Sequence, residues 1–98
     1  MRTAAVSLVL FLLTLVTVPL QADARSDAKK QVEFGIAVAQ RGLWREAIYR
    51  WEKATQIDPS YAPAHNNLAI AYEHEGDLAK ARAAYERALE LEPGNALI

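Results

Sequence analysis

The sequence predicts an all-α fold in which two tandem helix–turn–helix units follow an N-terminal targeting segment. Three observations support this prediction. The residue types of positions 28–61 recur in the same order at positions 62–95. The stretches between glycines and prolines carry apolar residues three or four apart, which is helical spacing. An uncharged run, from Ala4 to Val18, stands apart near the N-terminus.

The first element is the targeting segment, residues 1–24. Arg2 gives a positive start, the apolar run follows, and Ala22-Asp23-Ala24 places small residues at the positions that a signal peptidase recognises. The run is shorter than the ~20 residues that span a bilayer. We therefore expect a signal peptide that is cleaved after Ala24, with an uncleaved N-terminal anchor as the alternative. No cysteine is present to carry a lipid.

The first helical unit covers residues 28–61. A helix is expected over 29–41 and should end at Gly42, because glycine readily adopts the left-handed conformation. A second helix is expected over 44–57, with Ala47, Ile48, Trp51 and Ala54 on one face. Pro59 stops it, since the residue before a proline avoids the helical conformation.

The second unit, residues 62–95, repeats this plan. We expect a helix over 64–75 that ends at Gly76, and another over 78–91 with Asp77 as its N-cap. Leu43 occupies the slot that matches Asp77 and has no side-chain oxygen for capping. Residues 96–98 are expected to be the start of a truncated third unit.

The residues that recur between the two units resemble the tetratricopeptide repeat, whose pattern is W-x2-L-G-x2-Y…A-x3-F…P. The first slot is polar in both units, at Gln31 and His65, and Val38 replaces the usual aromatic. The resemblance implies a short right-handed α-solenoid. It also implies that helix packing rests on Phe34, Gly35, Ala47, Trp51, Ala54, Pro59, Leu68, Ala69, Tyr72, Ala81, Tyr85, Ala88 and Pro93.

The same resemblance implies a concave groove lined by the first helix of each unit. Its lining would be Lys29, Val32, Ile36, Gln40, Asn66, Ile70, Glu73 and His74. An apolar strip with polar edges suits an extended peptide or a partner helix. The alternative is that these residues are solvated, or partly covered by residues 25–27. Val32 and Ile36 stand where the chaperone-tail binders carry Lys and Asn, so that subtype is not expected.

Several classes of function are not expected. The net charge of -1 gives no basic footprint for nucleic acid. His65 and His74 are nine residues apart on one predicted helix and point in directions about 180° apart, so they do not form one metal site. No glycine-rich phosphate loop is present. We therefore expect no cofactor, no metal and no enzymatic activity.

The sequence thus predicts an exported interaction module, periplasmic or secreted, that binds a protein or peptide partner. Apolar residues Tyr85, Leu89 and Leu97 are left without a following helix. Either the chain is a fragment, or this end docks onto another protein or a second copy as a homo-oligomer. Two alternatives stay open: an adaptor anchored in the inner membrane by residues 4–18, and a small accessory subunit of an envelope enzyme complex.

Overall fold

The computed structural model describes residues 20–95, and regular structure in this part of the chain is helical throughout. Four α-helices follow one another: α1 (Leu20–Gln40), α2 (Trp44–Ile57), α3 (Ala62–His74) and α4 (Leu78–Leu91). A single 3₁₀ turn, Pro93–Asn95, ends the described chain. The prediction of an all-α fold of tandem helical hairpins is confirmed. The apolar run at 4–18 and the expected third unit at 96–98 lie outside the described residues.

Each hairpin closes through a glycine in the left-handed region. Gly42 has φ 78° and Gly76 has φ 81°, as their positions at the helix ends predict. The following residue then donates its amide to a carbonyl five positions back: Leu43 to Val38 at 3.1 Å and Asp77 to Tyr72 at 2.8 Å. These matching bonds turn the chain by the same route in both repeats.

The two second helices begin differently. The Asp77 side chain accepts a hydrogen bond from the Lys80 amide at 3.2 Å, so the predicted N-cap of α4 is confirmed. Leu43 has nearly the same backbone, with φ −90° and ψ 68° against −90° and 79°, but makes no side-chain cap. The first helix pair therefore has a capping position with the right backbone and the wrong side chain.

The prediction for the start of α1 was wrong. The helix begins at Leu20, not at position 29. Residues 20–28 contain neither glycine nor proline, and Asp23 lies in the first turn, where a negative charge suits the helix dipole. The expected cleavage point after Ala24 therefore falls within α1. The start of α3 was also placed two residues late: the helix begins at Ala62, and Pro63 lies in its first turn, where proline is tolerated.

The core runs through both hairpins as one cluster. Helix α1 packs against α2, α2 against α3, and α3 against α4, while α1 also contacts α3. Small side chains dominate the cluster, which joins Ala28, Val32, Val38, Ala47, Trp51, Ala54, Ala64, Leu68 and Ala71. Five of these nine residues are alanines, whose small side chains permit close packing of helices.

Candidate partner-binding groove

The predicted groove would lie where α1 and α3 contact each other. Ile36 on α1 and Ile70 on α3 occupy equivalent positions of the two repeats, and keep 40% and 41% of their surface exposed. The residue before each isoleucine, Gly35 or Ala69, is buried. Gly35 lies against Trp51 of α2. The fold thus turns one face of each first helix inward and leaves these two apolar side chains in solvent.

Polar residues border the isoleucine pair. Lys29, Gln40, Glu73 and His74 are exposed, and Asn66 is half-buried. They supply cationic, anionic and amide groups along the same two helices. Hydrogen-bonding groups therefore lie on the same two helices as the exposed isoleucines.

His74 is held by an aromatic contact that the sequence did not predict. Its imidazole stacks on the indole of Trp44, with ring centroids 4.2 Å apart and an interplanar angle of 22°. Trp44 opens α2 and His74 ends α3, so the stack joins the two repeats. A residue of the predicted groove is thereby fixed in orientation by the first repeat.

One predicted groove residue requires a correction. Val32 is only 4% exposed and belongs to the core cluster. It lies one helical turn after Ala28, which is fully buried on the same face of α1. The side chain of Val32 therefore contributes to packing, and Ile36 and Ile70 are the exposed apolar residues that remain of the predicted lining.

The packing residues divide into three groups. Those that the structure buries are Gly35, Ala47, Trp51, Ala54, Leu68, Ala69 and Ala81, and those that it half-buries are Tyr72, Tyr85 and Ala88. Pro59 and Pro93 are exposed, because they end helices instead of filling space between them. Phe34 needs a correction as well: it is 48% exposed and lies beneath the Arg50 guanidinium, 4.2 Å from the ring centroid.

Gly35 and Trp51 set the distance between α1 and α2. A Cβ atom added at Gly35 would lie 2.7 Å from Cδ1 and Cε2 of the indole, closer than real side chains approach. Trp51 is 3% exposed and donates its indole N–H to the Val32 carbonyl at 3.0 Å. The second repeat carries Ala69 and the smaller ring of Tyr85 at the matching slots.

Polar contacts of Arg25 fasten the start of α1 to the junction between the repeats. Arg25 donates to the Asp58 carboxylate at 2.5 Å and to the Ser60 hydroxyl at 3.2 Å, and its guanidinium lies 5.1 Å from the Tyr61 ring centroid. The hydrogen bond from Arg25 holds the pKa of Asp58 below its ordinary value, and bonds from Ser60 act in the same direction. Sequence reasoning missed this cluster, because its other members are distant from Arg25 along the chain.

The described residues contain no cluster of three or more His, Asp or Glu side chains that could hold a metal ion. His65 and His74 make separate contacts: His65 Nε2 lies 2.9 Å from the Pro59 carbonyl, and His74 stacks on Trp44. Within the same part of the chain, no helix combines the length and apolar character needed to cross a membrane.

Comparison with known proteins gives relatives of the same architecture. The chain is 33% identical over 82 residues to the type IV pilus assembly protein PilF of Pseudomonas aeruginosa, covering 82% of this chain and 32% of that protein. It is 47% identical over 45 residues to the uncharacterized protein ycf37 of Pyropia yezoensis, covering 46% and 25%. It is 36% identical over 59 residues to the Hsp70-Hsp90 organizing protein of Triticum aestivum, covering 60% and 10%. The chain thus spans a third or less of the length of these relatives.

Two family models match as well. Residues 62–95 match the tetratricopeptide repeat and residues 35–76 match the TPR repeat, which together reach into both helical hairpins. Repeats of this kind stack into solenoids that present extended binding surfaces, so the chain is a protein–protein interaction module. Its helical hairpins, its glycine turns and its repeated small residues agree with these matches. The chain belongs to the tetratricopeptide repeat proteins.

Proposed function

We propose that this chain is an exported module that holds an extended peptide or a helix of a partner protein in the groove between α1 and α3. The observation that carries the proposal is the pair of half-exposed isoleucines, Ile36 and Ile70, at equivalent positions on adjacent helices. The module acts by binding alone, without chemistry on its partner. Lys29, Gln40 and His74 would direct the polar groups of the bound segment.

Displayed random peptides provide a direct test of the groove. Peptides selected on the purified chain should lose affinity for the double variant Ile36→Gln/Ile70→Gln. Complete burial of such a side chain is worth about 1.5–3 kcal/mol, and roughly two fifths of each remains to be buried. Loss of both should therefore raise the Kd by roughly 10- to 50-fold.

Leu43→Gln is the matched control. Leu43 is an apolar residue of similar exposure, 45%, but lies in the turn between α1 and α2. Peptide affinity should not change in this variant. If the selected peptides bound the Ile36→Gln/Ile70→Gln protein as tightly as the parent, the groove proposal would be wrong.

Export is the second part of the proposal, and its support is the layout of residues 1–24. A mature protein that begins at Arg25 in the periplasmic or secreted fraction is the expected result of intact-mass analysis. Retention of residues 4–18 in a membrane fraction after a salt wash would instead favour the adaptor that is anchored in the inner membrane.

A role as an accessory subunit is the other candidate. One observation favours it: the similarity to PilF covers 82% of this chain, and PilF is named as a pilus assembly protein. Isolation of the chain with one larger protein in fixed stoichiometry would support this role. A chain that is recovered free from cells that contain it at its natural level would argue against it.

A further inference from the structure

Helix α4 is less buried than the helix it follows. It contributes a single buried residue, Ala81, whereas α3 contributes five. An open cleft borders α4 and is lined by Glu73 of α3 together with Leu78, Ala81, Arg82, Tyr85, Glu86 and Leu89 of α4. Leu78 is 69% exposed. Among the apolar side chains of the cleft, Leu78 is therefore largely open to solvent, and Tyr85 and Leu89 are partly so.

Helix α1 has a corresponding open face. Leu68 of α3 is 5% exposed and Ala71 is fully buried, while Phe34 and Ala37, their counterparts in the first repeat, are exposed. The difference follows from the order of packing: α2 lies against α3, and no described helix lies against α1 in the same way. One end of the repeat pair thus presents the open face of α1, and the other end presents the open face of α4.

We propose that α4 of one copy packs against α1 of a second copy, in the way that α2 packs against α3 within the chain. This goes beyond groove binding and gives the expected homo-oligomer a specific contact. The equivalent positions place Tyr85 where the internal contact has Trp51, and Phe34 where it has Leu68. The internal interface is therefore the template for the contact between copies.

The charges of the two repeats favour this arrangement. Residues 28–61 contain six basic and four acidic side chains, whereas residues 62–95 contain three basic and six acidic ones. Stacking head to tail brings the positive repeat of one copy against the negative repeat of the next. A two-fold contact between two α4 faces would bring the acidic repeats together.

A contact between two different faces leaves one face of each kind free in a dimer, so further copies can add to it. The mass of the purified full chain, followed by sedimentation velocity across a concentration series, should therefore rise beyond that of a dimer. Salt at about 1 M, where the Debye length is about 3 Å, should weaken the association. A two-fold contact between acidic repeats would instead be strengthened by salt, which would overturn the proposal.

Two variants separate the faces. Phe34→Asp disables the α1 face and Leu78→Asp disables the α4 face, each at a side chain that is 48% or more exposed. Each variant alone should be monomeric, with an association constant at least about tenfold lower. A mixture should form a 1:1 heterodimer, because the intact α4 face of one meets the intact α1 face of the other. Helical circular dichroism equal to that of the parent shows that both variants are folded.

Three results would overturn the proposal: a parent chain that stays monomeric at every concentration, a Phe34→Asp protein that still dimerises, or a mixture that stays monomeric. If Phe34→Asp proves unfolded, Arg50→Glu replaces it and should give the same heterodimer with Leu78→Asp. The groove variant Ile36→Gln/Ile70→Gln should associate as the parent does. Failure of groove binding and failure of stacking are therefore measured separately.

Discussion

Replacing Gly35 by alanine tests the contact that sets the spacing of α1 and α2. The new Cβ would lie 2.7 Å from two carbons of the Trp51 ring, and ordinary contact begins at 3.4 Å. Trp51 has little room to retreat, because it is 3% exposed. Any retreat also stretches the 3.0 Å hydrogen bond between its indole and the Val32 carbonyl.

The expected loss of stability follows from three contributions. Overpacking of a core costs about 1–3 kcal/mol. Loss of the indole hydrogen bond costs about 0.5–1.5 kcal/mol. Alanine returns about 1 kcal/mol, because it favours the helix more than glycine does. Gly35→Ala should therefore lower the free energy of unfolding by about 0.5–3.5 kcal/mol, with a fall in Tm of about 4–8 °C for each kcal/mol.

The second repeat indicates which second substitution should restore the stability lost in Gly35→Ala. Ala69 stands at the slot of Gly35 and faces a tyrosine at the slot of Trp51. The double variant Gly35→Ala/Trp51→Tyr should therefore be more stable than the sum of the two single changes allows, by about 1 kcal/mol or more. Urea unfolding followed by circular dichroism measures all four proteins. A Gly35→Ala protein as stable as the parent, or additive single changes, would refute the reasoning.

Four further substitutions have predictable effects on unfolding. Leu43→Asp should stabilise the chain and Asp77→Ala should destabilise it, each by about 1 kcal/mol in urea unfolding, because the two N-cap positions share one backbone geometry. The lowered pKa of Asp58 stabilises the fold above the ordinary carboxyl pKa, and this contribution is lost on acidification; Asp58→Asn should flatten the acid part of the stability profile. Burial, with Glu52 nearby, raises the pKa of Tyr72 to about 12, so stability should fall as the unfolded phenol ionises above pH ~10. Burial raises the pKa of Tyr85 as well, so Tyr72→Phe should reduce that fall in an alkaline titration without removing it.

Local signals in the sequence were sufficient for the turns and most helix ends. Gly42 and Gly76 adopt positive φ, and Asp77 caps α4, because each depends on the backbone within a few residues. The start of α1 was missed because it does not depend on a local signal of this kind. No local signal marks position 20, and the tie between Arg25 and Asp58 that fastens this segment joins distant parts of the chain.

The composition of the groove was predictable only in part. The register of the two repeats indicates which helix face points away from the hairpin, and Ile36 and Ile70 are exposed there. It does not indicate how deeply the neighbouring helix covers each position. The burial of Val32 and the exposure of Phe34 could therefore not be predicted. Phe34 is exposed because no described helix lies against α1 at the place where α2 covers Leu68.

The distribution of buried residues links stability to binding. Helix α4 has one buried residue and an exposed leucine at its start, so it should open locally at a lower free energy than α3. Any partner that covers α4 binds the folded helix and not the open one, and therefore stabilises it by mass action. Amide exchange in α4 should then slow as the protein concentration rises, while exchange in α2 changes less. Protection of this helix thus reports the occupancy of its outer face without a label on either copy.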